Sequence, residues 1–494
     1  MVSQHPDHAG KPSWHNEEFI SVQHETHECF FSFSELDASE YKWDWEGKFV
    51  DESVIERLFS EHLDYFKEFP LGREKFLTFR LPNPKVETEF RLGRAFMGIL
   101  GAACLAKEVG FRAPPLFEVI LPMTESAEEM IAIQKAFKEM ASLKHRLYNL
   151  EKGGLKHIEI IPLFEQVDVI ISSHRILEKY LRLHKLIFGF TPPYIRPYLA
   201  RSDPALNSGL IPTVLAIKIA LSHYSEFEKK TGVKLFPIIG SGSLPFRGGL
   251  TPQTVEQFCQ EYRGVKTAVL QSAFRYDFEQ SEVSGAIKKI EKILPCGESA
   301  FVSSSEEKEL RELIPVFEKF YRQTVEEIAP VINDVASHLP RRRERVQHIG
   351  LFGYSRGVGK VKLPRAIGFT GALYSLGVPP EIIGTGRGLK CAIDCGKVEL
   401  VKKFYSGLES ELKRAGRFLY KEGVEKLARK SEIWKGVLED VRHTEDYLGE
   451  KLGPISQEEI EHAKIVKEAH QKIASGKPFE EHLQSLAILR RSIG

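Results

Sequence analysis

Paired cysteines are missing from this chain. Its six cysteines, Cys29, Cys104, Cys259, Cys296, Cys391 and Cys395, are scattered and show no CxxC spacing, as expected of reduced intracellular thiols rather than a disulfide frame. Net charge is almost absent as well. Sixty-nine Lys and Arg face 68 Asp and Glu, a formal balance of +1, so nothing global favours nucleic acid or an acidic membrane as a partner. The longest apolar run, Phe96–Ala106, falls far short of the roughly 20 residues a membrane helix needs. The opening stretch, MVSQHPDHAGKPSWHNEE, lacks the apolar centre of a secretory signal. Low-complexity tracts, repeats of 20–50-residue period and Pro/Ser linkers are also lacking. What these absences leave is a cytoplasmic globular protein. At 494 residues, 42% hydrophobic and 28% charged, it is long enough for a large core.

What the chain does contain is a series of short apolar runs at a nearly constant interval. The most telling is His157–Gln166, HIEIIPLFEQ, a continuously apolar run that breaks on a carboxylate, Glu165. Such runs, bounded by breakers, are typical of strands buried on both faces, as in parallel sheets. The others are Phe76–Arg80, Phe117–Met123, Tyr194–Asp203, Leu235–Ser243 and Thr267–Phe274, with Ile158–Glu165 as the strand core of the first. Their last residues are spaced by 43, 42, 38, 40 and 31 positions, with amphipathic stretches such as Glu125–Leu143 and Pro212–Lys230 between. A βα unit of a (β/α)8 barrel takes about 30 residues, more with insertions. The reading is therefore an α/β fold: a TIM-type (β/α)8 barrel with extensive additional helices, preferred over an open doubly wound sheet. We expect one catalytic unit spanning 1–494. Within it, 1–70 reads as an N-terminal segment and helix, 71–390 as barrel core with site loops, and 391–494 as a helical C-terminal region.

A barrel gathers the C-terminal ends of its strands at one mouth. Glu165 and Asp203, one βα step apart, would then sit on neighbouring strands. Two carboxylates completed by water and a substrate oxygen suit Mg²⁺ or Mn²⁺, and capping of the following helices is the alternative. After the next strand comes Gly240–Gly249, GSGSLPFRGG. Its glycines allow backbone N–H groups to approach an anion, and Arg247 offers a bidentate fork. A plain flexible loop is the competing reading. Arg80, Arg201, Arg275, Arg356 and Arg365 recur where strands end or loops begin, and arginine matches carboxylate and phosphate geometry.

Other motifs fail. GYSRGVGK at 353–360 has five residues between its outer glycines where a P-loop needs four, and Val361 stands where Ser or Thr should follow. GTGRG at 384–388 is too short for a dinucleotide fingerprint. His24, His27 and Cys29 lack a second ligand pair for zinc. The basic run Arg341–Arg345 reads as a solvated helix start.

Taken together, SQHPD, WDWEGK, FRLPNP, ILPMTESAEE, IPLFE, ARSDPALNSG, the FRGG loop and LPRAIGF resemble the sequence blocks of phosphoenolpyruvate carboxylase in its short archaeal-type branch, from His5 to Arg365. The resemblance implies a carboxylase joining phosphoenolpyruvate and bicarbonate into oxaloacetate and phosphate, by way of carboxyphosphate and an enolate. It implies that Glu165 and Asp203 bind the divalent metal, Mg²⁺ or Mn²⁺, and that His5, Arg247 and Arg365 are catalytic. Arg80, Arg201, Gly248, Gly249, Arg275 and Arg356 would bind substrate. It also implies a homotetramer, with no nucleic-acid or membrane partner, and a Gly-ended tail, RRSIG, near the site. Two positions depart from the long members of the family: Ser241 stands where they carry Arg, and Leu206 where they carry Lys. The alternatives are another Mg-dependent barrel acting on phosphoenolpyruvate or an enolate, a lyase or phosphomutase, and a non-catalytic helical interaction protein.

Overall fold

The computed structural model describes residues 1–87, 89–145, 148–344 and 361–494. Eight parallel strands form its centre, in chain order: β1 (Val2–Ser3), β2 (Glu40–Asp44), β3 (Phe76–Arg80), β4 (Glu118–Leu121), β5 (Glu159–Phe164), β6 (Tyr198–Leu199), β7 (Ile238–Gly240) and β8 (Thr267–Val269). Each pairs in parallel with the next. The ring closes where Leu270 meets the N-terminal strand: Ser3 N–H donates to Leu270 O at 2.9 Å, and Leu270 N–H donates to Met1 O at 2.8 Å. This is the (β/α)8 barrel expected from the spacing of the apolar runs, wrapped by helices.

The barrel begins earlier in the chain than the apolar runs suggest. Its first two strands lie within residues 1–70 and its last ends at Val269. The physical reason is visible in β2. Tyr41 and Trp43 point outward into the helix-facing core, while Glu40, Lys42 and Asp44 point into the barrel. A strand with a charged inward face does not read as a buried strand. Two of the expected strands are also shorter than their runs. Tyr194–Ile195 and Lys234–Leu235 pair with each other below the barrel, and the barrel strands restart at Tyr198 and Ile238. Pro197 and Pro237 stand at the two breaks, because proline cannot donate to a ladder.

The interior is two-sided. From β4 to β8 it is apolar, with Ile120, Ile161, Leu163, Tyr198, Ile238 and Val269 in one cluster. From β2 and β3 it is charged, and every charge has a partner. Near the bottom, Arg196 reaches Glu40 at 2.7 Å and Glu118 at 2.5 Å. Burying a charge is tolerable only when it is paired in this way. Outside the barrel the amphipathic segments form helices such as Ala127–Ala141, Val167–Phe188 and Leu210–Thr231, which pack on the strands and on each other. The 34-residue helix Ser304–Ser337, opened by a Ser303/Glu306 capping box, packs against Leu210–Thr231 and carries the C-terminal helices. All six cysteines are free. Among the described residues no helix is long and apolar enough to cross a membrane.

Candidate active site at the mouth of the barrel

A cavity opens at the C-terminal ends of the strands. Its wall includes His5, Arg80, Glu165, Asp203, Arg247 and Arg365, which come from six separate strand ends and loops. The cavity thus brings together residues up to 360 positions apart: Glu165, Asp203 and the arginines expected at strand ends and loop starts, and His5, expected from the family resemblance.

Each is placed by local structure. β5 ends at Phe164, and Glu165 follows on the mouth, where Met123 N–H donates to its Oε2 at 2.6 Å and sets the carboxylate's orientation. Met123 itself adopts a positive φ of 54°, unusual for a side chain of its size. Asp203 lies in the first turn of the short helix Ser202–Ser208 and lines the cavity next to Glu165. Among the described residues there is no cluster of three His, Cys, Asp or Glu side chains able to enclose a metal. The donor set available here, two carboxylates, fits a hard divalent cation that keeps most of its ligands as water or substrate oxygen. It does not fit zinc in a closed structural site.

Arg80 ends β3. Its Nε donates to Asp44 Oδ1 at 2.9 Å and its Nη1 lies 2.7 Å from Glu46 Oε2. Burial pushes the Asp44 carboxyl up, but Arg80 and Lys42 pull it down further and hold it well below the usual carboxylate range. Arg247 is almost completely enclosed, 1% exposed. Its guanidinium donates to Asp7 Oδ2 at 3.1 Å, to Ser202 Oγ at 3.3 Å, to Gln271 Oε1 and to the Gly494 main-chain oxygen. Burial lowers its pKa and Asp7 opposes the shift. Arg365 is the residue immediately before the helix Ala366–Ser375 and reaches the cavity half-buried. His5, two residues past β1, is reached on Nδ1 by Ser3 Oγ at 3.0 Å and Lys42 Nζ at 3.4 Å. Burial, then Lys42, holds His5 well below the ordinary histidine value, so its imidazole is neutral through the neutral range.

Other expected residues are placed elsewhere. Arg201 touches the cavity wall, but its guanidinium is turned into the protein, donating to Tyr262 OH at 2.9 Å, Phe246 O at 2.9 Å and Pro245 O at 3.2 Å. Gly248 and Gly249 are not on the wall. Both have positive φ, and a Cβ on Gly249 would meet Arg414 Nη2 at 2.1 Å, so they let the loop fold tightly behind Arg247. Arg275 lies away from the cavity in a buried network, where it reaches Glu28 Oε1 at 3.0 Å and Ser3 O at 2.7 Å. Arg343 holds the same Glu28 at 2.6 Å. Arg356 lies outside the described residues. Of the two departures, Ser241 donates to Val269 O at 2.7 Å and Leu206 is buried, so neither adds charge at the mouth.

Sequence reasoning passed over Glu46, Gln271, Asp7 and Tyr198. The first three are polar residues in segments whose strands are too short or too charged to read. Tyr198 follows the Pro197 break.

Comparison with known proteins agrees with this architecture. A family model described as phosphoenolpyruvate carboxylase matches residues 1–494. The phosphoenolpyruvate carboxylase of Leuconostoc mesenteroides is 40% identical over 467 residues, covering 94% of this chain and 92% of that protein. Those of Metallosphaera sedula and Methanothermobacter thermautotrophicus are 38% identical over 519 residues and 39% over 430. They cover 100% and 85% of this chain, and 99% and 86% of their own lengths. On length, motif order and barrel architecture alike, the chain belongs to the phosphoenolpyruvate carboxylase family, in its short archaeal-type branch.

Proposed function

We propose that this protein carboxylates phosphoenolpyruvate with bicarbonate, giving oxaloacetate and phosphate, at the mouth of the barrel. The observation that carries the reading is the convergence of Glu165, Asp203, Arg80, Arg247, Arg365 and the neutral His5 on a single cavity, whose wall also includes Glu46 and Arg201. The reaction needs groups for three tasks: neutralising a phosphoryl and a carboxylate, stabilising enolate charge, and moving a proton. Glu165 and Asp203 would hold the divalent cation, which supplies Lewis-acid stabilisation of negative charge on the enolate oxygen. Arg247 is preorganised by four acceptors and binds the phosphoryl group as it transfers to bicarbonate. Arg80 and Arg365, both on the cavity wall, would bind the substrate carboxylate and bicarbonate. His5 takes the proton from carboxyphosphate that releases CO₂ beside the enolate. The enclosed mouth limits water, which would otherwise protonate the enolate to pyruvate.

The test is oxaloacetate formation from phosphoenolpyruvate, coupled to malate dehydrogenase, with bicarbonate and Mg²⁺ each present or omitted. We expect a rate that needs both and is lost in Glu165→Ala. A rate independent of bicarbonate would place the enzyme among lyases or phosphomutases instead. We also propose that it works in the cytoplasm as a homotetramer, a reading supported by its free thiols and its helical C-terminal region. Sedimentation showing a monomer at micromolar concentration would refute the assembly.

A further inference from the structure

Lys42 is an unusual residue to find inside a barrel. It sits on the inward face of β2, fully buried, one layer beneath the cavity and absent from its wall. Its ammonium touches two groups, His5 Nδ1 at 3.4 Å and Asp44 Oδ1 at 3.4 Å. Asp44 Oδ1 is already taken by Arg80 Nε at 2.9 Å. The lysine therefore lies as close to the imidazole as to its one ion-pair partner, a carboxylate it shares with Arg80.

The donor inventory at His5 has a consequence. A lysine ammonium has three donors and no acceptor, and a neutral imidazole carries one proton on one of two nitrogens. Ser3 Oγ, also near Nδ1, has an alternative acceptor in Leu270 O at 3.3 Å. With the ammonium donating to Nδ1, neutral His5 must carry its proton on Nε2, the nitrogen that no described residue engages and that is left for the substrate. In that form His5 donates to the cavity and cannot accept a proton there. Only when Lys42 is an amine can Nδ1 carry the proton and leave Nε2 basic.

We infer that Lys42 is the proton partner of His5: it fixes which imidazole nitrogen is protonated and receives that proton when His5 acts as a base. This rests on the proposed carboxylase reading for the identity of the proton donor. The step balances. The substrate O–H bond breaks as Nε2–H forms, the Nδ1–H bond breaks, and the proton passes to the Lys42 amine. Lys42 is thus a positioning residue acting through His5. The surroundings suit the task. The charged groups facing the pair are Asp44 and Glu46 from β2 and the turn after it, Arg80 from β3 and Arg247 from the loop after β7. Burial, then Arg80, brings the Lys42 ammonium down to about 8, whereas His5 is neutral well below that. An ionisation near neutrality at this site therefore belongs to the lysine.

Two measurements on the full-length protein decide it. The first uses [¹⁵N]histidine labelling, with the His5 signals assigned by their loss in His5→Asn. Wild type should show Nε2–H at pH 7 and convert to Nδ1–H as pH rises past 8. Lys42→Met should lose that conversion, and Lys42→Arg should stay Nε2–H throughout, since arginine does not give up its proton. The second is the ratio of oxaloacetate to phosphate formed. It should rise with pH in wild type and fall about 100-fold in Lys42→Arg, with phosphate release retained. An unchanged tautomer titration in Lys42→Met, or a wild-type product ratio and pH limb in Lys42→Arg, would overturn the inference. If wild type makes no oxaloacetate, the functional reading falls. The tautomer measurement needs no turnover and still decides the role of Lys42.

Discussion

At the scale of single residues, Arg247 shows how a buried cation is kept ready for an anion. Its pKa is lowered by burial, and its partners are one carboxylate, one amide, one hydroxyl and one main-chain oxygen. Asp7 is the one side-chain carboxylate among them, and on the proposed reading an incoming phosphoryl group would share the fork with it. A lysine would keep the charge but present a single point where the planar fork presents two directions. Arg247→Lys should therefore lower kcat/KM for phosphoenolpyruvate by about 10²–10³, the usual cost of losing one preorganised donor at a transition state. Asp7→Asn tests the other half of the argument. It replaces the Oδ2 that pairs with Arg247 at 3.1 Å by an uncharged amide, while Oδ1 still accepts from Ala273 N–H at 2.7 Å and Ser272 Oγ at 3.2 Å. It should raise KM more than it lowers kcat. Equal activity in both variants would show that Arg247 serves only the fold.

At the scale of elements, the loop from Gly240 to Gly249 is held from three sides. Arg201 binds its carbonyls at Pro245 and Phe246, Arg414 Nη2 donates to Gly249 O at 3.1 Å, and Glu381 Oε1 accepts from Phe246 N–H at 2.6 Å and Tyr374 OH at 2.6 Å. Glu381 is fully buried, and burial pushes its carboxyl up to about 7. A carboxyl raised in the folded state contributes its full stability below the unfolded value near 4.5 and loses it as pH rises through 7. Glu381→Gln keeps the acceptor and cannot ionise. Relative to wild type, its stability to chemical denaturation should improve by about 2.5 kcal/mol between pH 5 and pH 8. An equal offset at both pH values would mean that Glu381 does not titrate there. The element scale is also where the sequence is most and least informative. Phe76–Arg80 and Glu159–Phe164 are legible because apolar runs end on charged residues, and they deliver Arg80 and Glu165 to the mouth. β1 is two residues long and β2 shows charge to the barrel interior, so neither could be read from hydrophobicity. Arg201 and Arg275 were legible as cations at strand ends, but not as cations consumed by Tyr262 and Glu28. Side-chain direction past a strand end depends on the loops that fold over it, and no local pattern encodes that.

At the scale of the whole molecule, the two ends of the sequence meet at the site. Ile493 N–H donates to Asp7 O at 2.7 Å, Ser492 Oγ donates to the same oxygen at 3.3 Å, and Arg247 donates to Gly494 O. Arg490 anchors this tail. It is buried, has no carboxylate partner among the described residues, and donates to Ser492 O at 2.9 Å, Ile493 O at 2.6 Å and Ser375 Oγ at 3.2 Å. Burial lowers its pKa to about 9, so it uses main-chain oxygens as its counter-charge. The helices between Ser304 and Leu489 thereby have a use beyond bulk: packed on the barrel, they deliver the tail to Arg247. Space at the tail's last position is fully taken. A Cβ on Gly494 would lie 2.0 Å from Ile367 O and 2.4 Å from Gly371 N, both backbone atoms of the helix that Arg365 precedes. Gly494→Ala must therefore lift the tail from the mouth while leaving the barrel and its core untouched. Displacing a positioning contact by about 1 Å can cost roughly 10²-fold in rate. Accordingly, Gly494→Ala should lose about that much in kcat while melting within a few degrees of wild type. Normal turnover in this variant would show that Asp7, Ser202 and Gln271 suffice to position Arg247. A melting point far below wild type would show instead that the tail holds the fold together.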